Sequence, residues 1–381
     1  MLNPAELSKL VELRHALHQA PELSGEEVNT AEKIASYLTE LSPDKLITQL
    51  GGHGVAAVFE GHDAGPTIHI RCELDGLPIQ ENSDLPYRSQ IAGKGHLCGH
   101  DGHMAIVCGL AKLLHHQRPA SGRVVLLFQP SEETGAGARA VVADQKFASI
   151  APDFAFALHN YPGVKLGTAL IKQGPINCAS TGMRLVFDGK TSHASNPADG
   201  LSPMAAMSAF MADVTALSSG DVSDSDFALV TVVHAALGEP AFGISPGHGE
   251  IWVTLRTSGD VQMSALVFQC EQIAERLAKA HGLTHAISYD DVFAASHNNP
   301  VATAMVLEAL EHEGVSHKIL SAPTRWSEDF GVFGQYCKAA MFFLGSGESQ
   351  PQLHNPDYDF PDVLIETGTK VFHRIIWKAL G

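Results

Sequence analysis

Basic residues are scarce in this chain of 381 residues. It has 25 Lys and Arg against 42 Asp and Glu, which gives a formal net charge of -17. Such a charge repels the phosphates of nucleic acids and the headgroups of anionic lipids. We therefore expect neither a nucleic acid nor a membrane surface as a partner.

The sequence also lacks a hydrophobic run long enough to cross a membrane, which takes about 20 apolar residues. Residues 1–19 carry charged and histidine side chains where a secretory signal would have its apolar core. The six cysteines are irregularly spaced, and a chain of this size needs no disulfides to fold. Together these absences predict a cytoplasmic protein with reduced thiols.

The length and the 45% content of hydrophobic residues allow two domains, each with its own core. Up to about residue 174, short apolar strands alternate with amphipathic helices, which is typical of an α/β sheet. The second of these helices is predicted to open at Ser24 to Glu27, with a serine cap and an acidic first turn.

Between residues 182 and 289 the pattern is β-α-β-β-α-β, the order of a small open-faced sandwich. The chain then returns to the first pattern. We therefore predict a catalytic domain made of residues 1–174 and 290–381, interrupted by an inserted domain of residues 175–289. An exposed strand edge in the inserted domain would favour a homodimer.

Residues 96–103, His-Leu-Cys-Gly-His-Asp-Gly-His, place three imidazoles, one thiol and one carboxylate within eight positions. These are the side chains that bind first-row divalent metals, and the glycines let neighbouring ligands turn inward. Histidines also occur in cores and on wet surfaces. The prediction of a metal site therefore depends on ligands from elsewhere in the chain.

Further candidate ligands follow predicted strands. Glu132 and Glu133 come directly after one buried strand, and His159 ends the next. Open α/β sheets bind ligands at the carboxyl ends of their strands. A glutamate pair can equally be a solvated helix start, and a single histidine is more often structural. The same ambiguity holds for His354, which lies in a loop that no hydrophobic pattern explains.

Taken together, these segments resemble the two-metal aminoacylase and carboxypeptidase superfamily, in particular its branch of hippurate hydrolases and indole-acetyl-amino-acid amidohydrolases. Residues 98–103 reproduce that branch's Cys-Gly-His-Asp-Gly-His motif. Residues 71–78, Arg-Cys-Glu-Leu-Asp-Gly-Leu-Pro, are similar to its Arg-Ala-Asp-Met-Asp-Ala-Leu-Pro. Matching segments continue in chain order over nearly the whole length, at 128–133, 189–193, 327–330 and 353–360.

The resemblance implies a metal-dependent exopeptidase-like α/β catalytic domain with an inserted lid that also forms the dimer. It implies two divalent ions, with one residue, Cys98, bridging both. The implied ligands are Cys98, His100, Glu133, His159 and His354.

The resemblance also assigns roles beyond the metal ligands. Glu132 would be the catalytic carboxylate. His193 would donate to the oxyanion, in many members from the partner subunit, although a polar turn histidine is the simpler interpretation. Arg256 would bind the substrate carboxylate, and an edge-strand charge explains it equally well. Asp101, His96 and His103 receive no catalytic role, because helix capping, support of a ligand or a surface position would explain them.

Five ligands exceed the four of a structural zinc site. Two ions about 3.5 Å apart can share a thiolate and a water, lower the pKa of that water toward about 7 and polarise a carbonyl. Glu132 would then act as general base by taking a proton from the attacking water, and as general acid by giving that proton to the leaving nitrogen. The sequence thus predicts a two-metal amidohydrolase for N-acyl amino acids or similar small amides, with zinc, manganese, nickel or cobalt as the metal.

Three positions depart from the branch. Glu73 stands in place of Asp and would alter metal spacing, whereas Gly76 in place of Ala is harmless. Gly243 occupies the substrate-binding position of an Asn, which leaves the acyl group and the amino acid open. The alternatives are a dipeptidase or aminopeptidase of the same superfamily and a catalytically silent metal-binding sensor of small molecules. No acidic group for a free α-amine stands out, and the presence of Glu132 argues against the sensor.

Overall fold

The computed structural model describes residues 1–381, with eight α-helices and sixteen strands. The helices are α1 Pro4–His18, α2 Val28–Glu40, α3 His100–His116, α4 Gly137–Ala143, α5 Met204–Thr215, α6 Asp260–His281, α7 Pro300–His312 and α8 Leu364–Leu380. The strands are β1 Lys45–Leu50, β2 Gly54–Glu60, β3 Asp63–Glu73, β4 Ser121–Gln129, β5 Phe154–Pro162, β6 Ala169–Ile171, β7 Gly174–Asn177, β8 Ala179–Asp188, β9 Ser192–His193, β10 Ala228–Leu237, β11 Ile244–Ser245, β12 His248–Thr257, β13 Thr284–Phe293, β14 Ser296–Asn298, β15 His317–Ile319 and β16 Lys338–Gly347.

The chain divides into two compact units. The first comprises residues 1–176, 296–321 and 328–381, and the second comprises residues 177–295 and 322–327. The predicted α/β class is confirmed. The lid and dimerisation roles expected of residues 175–289 stay predictions. No helix combines the length and the apolar character that crossing a membrane requires.

The first unit is built on an eight-stranded sheet with the strand order β1-β2-β4-β3-β5-β16-β6-β15. Strands β4, β3, β5 and β16 are parallel neighbours in its centre. These strands are buried along most of their length, because helices α1, α2, α3, α7 and α8 pack in the same hydrophobic core. Burial on both faces accounts for their near-continuous apolar sequences.

Parallel strands end at a common edge, and this edge collects the predicted ligands. Strands β4 and β3 end at Gln129 and Glu73, and β5 and β16 end at Pro162 and Gly347. The segments that contain Glu132, His159 and His354 therefore begin at neighbouring points, although they are far apart in sequence.

The second unit has an antiparallel sheet with the order β10-β12-β8-β13. Along β8, buried side chains alternate with partly or fully exposed ones, and the buried ones share a core with α5 and α6. The opposite sheet face exposes Trp252 and Arg184. The predicted β-α-β-β-α-β order is present, with β9 and β11 as short additions in its loops.

The predicted start of the second helix is wrong. Helix α2 begins at Val28, and the carboxylate of Glu22 accepts the N–H groups of Asn29 and Thr30, at 3.2 and 2.8 Å. Ser24 does not cap the helix, since its hydroxyl donates to Asp75 Oδ2 at 2.7 Å. The local pattern indicated that Ser24 caps the helix, but its hydroxyl instead forms a hydrogen bond with Asp75, which is distant in sequence.

Candidate functional site

A tight turn after β4 presents the two adjacent carboxylates. Ser131, just before them, has a φ of +53°, in the left-handed region that residues with a Cβ rarely adopt. Glu132 is buried, and Glu133 retains slight exposure. The backbone N–H of Glu133 donates to Asp75 Oδ2 at 2.9 Å. The turn therefore directs both glutamates toward the sheet edge.

The thiol of Cys98 lies 3.4 Å from Nε2 of His159. His159 belongs to β5, and its Nδ1–H donates to the carbonyl of Asn160 at 2.8 Å. This hydrogen bond fixes the tautomer, so that Nε2 presents its lone pair toward the thiol. Cys98 precedes Gly99, whose φ is +93° and whose absent Cβ would meet Asn160 Oδ1 at 2.5 Å.

His100 is the first residue of α3 and is fully buried. Its Nδ1–H donates to the backbone carbonyl of Asp75 at 2.9 Å. Its Nε2 lies 3.8 Å from a carboxylate oxygen of Glu132 and 3.8 Å from one of Glu133. The ring is therefore held from behind and faces both glutamates.

His354 approaches the same place from the loop after β16. Its φ is +67°, and its N–H donates to the carbonyl of Leu97 at 2.9 Å, which anchors the loop next to Cys98. Its Nε2 lies 3.6 Å from Glu133 Oε2, and its side chain is 49% exposed. His354 thus forms the solvent-facing side of the cluster.

The six side chains form overlapping groups whose donor atoms lie within 4.8 Å of one another. The groups are Cys98 with His100 and His159, Cys98 with Glu133 and His354, and His100 with Glu132 and Glu133. Because Cys98 belongs to two groups that otherwise share no residue, the geometry suits two adjacent cations. Nε2 of His100 and Oε1 of Glu133 are buried without a hydrogen-bond partner, as expected of metal-ligating atoms. Thiol, imidazole and carboxylate are a fitting donor set for first-row divalent metals.

The cluster buries more acidic groups than its basic groups can neutralise, and this raises the pKa values of the acidic groups. Burial raises the pKa of Glu133 to about 7, and burial together with Glu328 raises that of Glu132. Burial and the two glutamates also raise the pKa of the Cys98 thiol. Burial opposes protonation of His100, but Asp75, Glu73 and Glu133 outweigh it and raise its pKa to about 10. A bound cation would stabilise the carboxylates of Glu132 and Glu133 and the thiolate of Cys98, and it would favour the neutral ring of His100 that can act as a ligand.

His103 supports this cluster, which is one of the two interpretations that the sequence left open for it. Its Nδ1 lies 2.6 Å from Glu73 Oε2, and its Nε2 lies 2.6 Å from Asn160 Oδ1. The surface interpretation of His103 and His96 is wrong, since both are 1% exposed. The start of α3 is covered by Phe360, whose ring leaves no space for a Cβ at position 102. The spacing of His100 and His103, three residues apart on one helix face, is the sequence signal that could have indicated this role.

A second supporting group surrounds Arg71, whose guanidinium is fully buried. It donates to Glu73, to Glu328 at 2.8 Å and to Asp329 at 2.5 Å. Carboxylate oxygens of Glu328, Asp329 and Glu132 lie within 4.8 Å of one another. The guanidinium of Arg71 therefore binds the carboxylates that lie next to Glu132. Their clustering depends on contacts across more than 250 residues, which sequence spacing does not show.

Asp101 neither caps α3 nor reaches a ligand imidazole. The N-cap of α3 is Gly99, and Asp101 Oδ2 accepts from His18 Nδ1 at 2.9 Å and from Arg14 at 3.1 Å. These contacts lock helix α1 onto the segment that carries Cys98 and His100.

The second unit contains the three remaining predicted residues. His193 is exposed, pairs with Ile244, and accepts the Ser195 N–H at Nδ1 at 3.1 Å, which leaves the proton of the neutral ring on Nε2. Gly243 is nearby, since its carbonyl accepts the N–H of Ala194 at 3.0 Å, and a Cβ there would meet open space. Arg256, on β12, donates to the Arg325 carbonyl at 3.0 Å.

Comparison with known proteins identifies the family. Residues 69–378 match the model of peptidase family M20/M25/M40. An N-acetyl-L-cysteine deacetylase of Bacillus subtilis is 31% identical over 372 residues, which cover 95% of this chain and 87% of the relative. An N-acetyldiaminopimelate deacetylase of Listeria innocua is 29% identical over 357 residues, covering 92% and 93%.

Among solved structures, the YXEP protein of Bacillus subtilis, described as a dinuclear metal binding peptidase from the M20 family, superimposes with a TM-score of 0.82. Its identity is 26%, and the match covers 99% of each chain. The chain therefore belongs to peptidase family M20/M25/M40, and the resemblance inferred from its motifs is confirmed.

Removing metal should destabilise the protein. A metal that binds only the folded state stabilises it, so treatment with a chelator should lower the melting temperature by on the order of 5 °C, and zinc should restore it. Differential scanning calorimetry measures this difference. Glu133→Gln should shrink it, whereas His248→Ala, which removes an exposed pair with Asp188, should leave it unchanged. Equal melting temperatures with and without zinc would contradict the metal site.

Proposed function

We propose that this member of the family is a two-metal amidohydrolase that removes the acyl group from N-acyl amino acids or similar small amides. The observation that carries the proposal is the convergence, at one sheet edge beside Glu132, of five side chains of the types that bind metals. The names of the relatives, deacetylases of N-acetylcysteine and N-acetyldiaminopimelate, agree in substrate class.

Cys98, His100, Glu133, His159 and His354 would hold the two ions, with Cys98 shared between them. When bound, the ions would polarise the amide carbonyl and make a water more acidic. Zinc suits this mixture of ligands best, and manganese, nickel and cobalt are the alternatives. Asp75 and Asn160 fix the tautomers of His100 and His159 through their carbonyl groups.

Glu132 would move the proton. Its carboxylate faces the ligand cluster and lies near His100, so it can accept a proton from the attacking water and deliver it to the departing nitrogen. An amide nitrogen does not leave as an anion, which makes this second transfer necessary. The acids and the guanidinium behind Glu132 restrict the directions in which its side chain can turn.

His193 and Arg256 would contribute from the second unit. The Nε2–H of His193 is a suitable donor for the oxygen that becomes negative during attack on the carbonyl. Arg256 has a partly buried guanidinium, which can bind the α-carboxylate of the substrate. The open space at Gly243 favours larger substrate groups than an Asn at that position would allow.

We further propose a homodimer in the cytoplasm. Strand β10 is an edge strand with a free side, and from Val233 to Leu237 its side chains are all exposed. Val233 is 57% exposed and Trp252 on the neighbouring strand is 44% exposed, which is typical of a surface that pairs with a second copy. All six cysteines are free thiols, which supports a reducing compartment.

Replacing Glu132 by Gln should abolish turnover and leave the metal bound. The amide cannot carry the proton, so kcat should fall by about 10²- to 10⁴-fold. Hydrolysis of acetyl and benzoyl amino acids gives kcat, and elemental analysis gives the metal content. Glu366→Gln, at an exposed pair with Lys370, is the matched control. Full activity of Glu132→Gln, or a wild type that binds both metals and cleaves no N-acyl amino acid, would contradict the proposal.

Arg256→Met should weaken binding of substrates that carry a free carboxylate. We expect KM for N-acetyl amino acids to rise by about 10- to 100-fold, because hydrogen bonds to a charged group are lost. The corresponding amino acid amides, which lack that charge, should show little change. Steady-state kinetics on both substrate sets measures the difference. Arg184→Met, on the exposed sheet face, is the control, and an equal effect on amides would argue against carboxylate recognition.

Light scattering should give twice the mass of the chain for the wild type. Val233→Asp places a charge on the free edge of β10 and should shift the protein toward monomers. Val261→Asp, at the exposed start of α6, controls for the added charge and should stay dimeric. A monomeric wild type at micromolar concentration would rule out the proposed dimer.

A further inference from the structure

The turn that carries the two functional glutamates is tethered at its backbone on both sides of Glu132. On one side, the N–H of Glu133 donates to Asp75 Oδ2 at 2.9 Å. On the other side, the N–H of Ser131 donates to Glu27 Oε1 at 2.7 Å, and the Ser131 hydroxyl lies 3.3 Å from the same oxygen.

Ser131 needs such a tether. Its φ of +53° is unfavourable for a residue with a Cβ and persists only where the surroundings hold it. Its carbonyl accepts the N–H of Gly137 at 3.0 Å, so the residue is fixed on both its backbone groups. A change of φ at this position would rotate the chain directly before Glu132 and move both glutamates away from the ligand cluster.

Apart from Ser131, the carboxylate of Glu27 accepts only from backbone groups of its own segment, at Gly25 and at Glu27 itself. It occupies the N-cap position of α2 and yet makes no side-chain cap hydrogen bond, because Glu22 caps that helix. Glu27 is fully buried, and its second oxygen, Oε2, has no partner. Burying a carboxyl group with so few hydrogen bonds costs stability. Its contacts to Ser131 are the hydrogen bonds that connect it to a distant part of the chain.

The segment around Glu27 also supports the second tether. The hydroxyl of Ser24 donates to the same Asp75 oxygen that accepts the N–H of Glu133, at 2.7 Å. The N–H of Gly76 donates to the carbonyl of Glu22 at 2.8 Å, which fixes the segment next to Asp75. Residues 22–27 thus hold the turn in two ways: Glu27 binds Ser131 directly, and Ser24 binds Asp75, which in turn binds Glu133.

We propose that Glu27 is a positioning residue for the hydrolytic reaction: through Ser131 it sets the orientation of Glu132 as the proton-transferring group and of Glu133 as a metal ligand. The inference rests on the proposed function for its kinetic part. It assigns a role in the site to a segment that lies more than 100 residues from the turn in sequence.

Two substitutions of Glu27 separate the hydrogen bond from the volume of the side chain. Glu27→Met removes the acceptor at similar size, and Glu27→Gln keeps an oxygen for the Ser131 N–H. In the zinc enzyme, Glu27→Met should lower kcat by about 10- to 100-fold with KM within about threefold, because misplaced catalytic groups lose rate. Glu27→Gln should remain within about threefold of the wild-type kcat.

Cobalt substitution supplies a measurement that does not depend on activity. The visible absorption of bound Co²⁺ responds to the arrangement of its ligands, Glu133 among them. Glu27→Met should change this spectrum, and Glu27→Gln should keep that of the wild type. If Glu27→Met folds poorly, the double variant with Ser131→Gly applies, since glycine adopts a positive φ freely and should restore much of kcat and of the spectrum.

Glu22→Gln is the matched control from the same segment. Its carboxylate caps α2 and does not touch the turn, so this variant should lower the melting temperature without changing kcat or the cobalt spectrum. Wild-type kcat and spectrum in folded Glu27→Met would overturn the inference. So would an equal loss in Glu22→Gln. If the wild type cleaves no N-acyl amino acid, the proposed function fails, and the cobalt spectra alone decide the role of Glu27.

Discussion

Carboxylates and other side chains that can bind metals are concentrated at the carboxyl edge of the parallel strands. The basic side chain that reaches the carboxylates, that of Arg71, already forms ion pairs with three of them. Arg71 is shared among Glu73, Glu328 and Asp329, and burial raises the pKa values of Glu132, Glu133 and the Cys98 thiol. Such a set of groups is stable in ionised form only with additional positive charge. Two divalent ions held among these donors would provide it, and the proposed chemistry depends on this electrostatic requirement.

The surrounding structure holds each donor in a defined orientation. Backbone carbonyls fix the rings of His100 and His159, and the loop of His354 is attached to Leu97. The glutamate turn is held by Glu27 and Asp75. Metal sites commonly depend on such outer partners, which fix tautomers and ligand directions before the ion binds. The N-terminal segment, which has no ligand of its own, belongs to this support.

Sequence reasoning selected the candidate ligands because they occur in local patterns, and the structure places their donor atoms close together. Residues 98–103 combine three ligand types with glycines, and the glutamates and His159 follow apolar strands whose parallel arrangement brings their ends together. The β-α-β-β-α-β order was also visible from hydrophobic periodicity. In each case the signal lies within a few residues of the feature that it predicts.

The supporting contacts were not predictable in this way. Ser24 and Glu27 look like a helix cap, and only the folded chain brings them to Asp75 and Ser131. The sequence left His103 open as a surface residue or a supporting residue, and the packing of Phe360 over the start of the helix decides against the surface position. Local patterns do not encode which distant partner competes for a side chain, so tertiary contacts decided these positions.

The central claim is that two cations share the thiol of Cys98 beside Glu132. Anomalous diffraction from crystals of the zinc-loaded protein tests it most directly. The account predicts two peaks about 3.5 Å apart, both about 2.3 Å from the Cys98 sulfur, with Glu132 not bound to either ion. A single peak, or two peaks of which neither contacts Cys98, would contradict it.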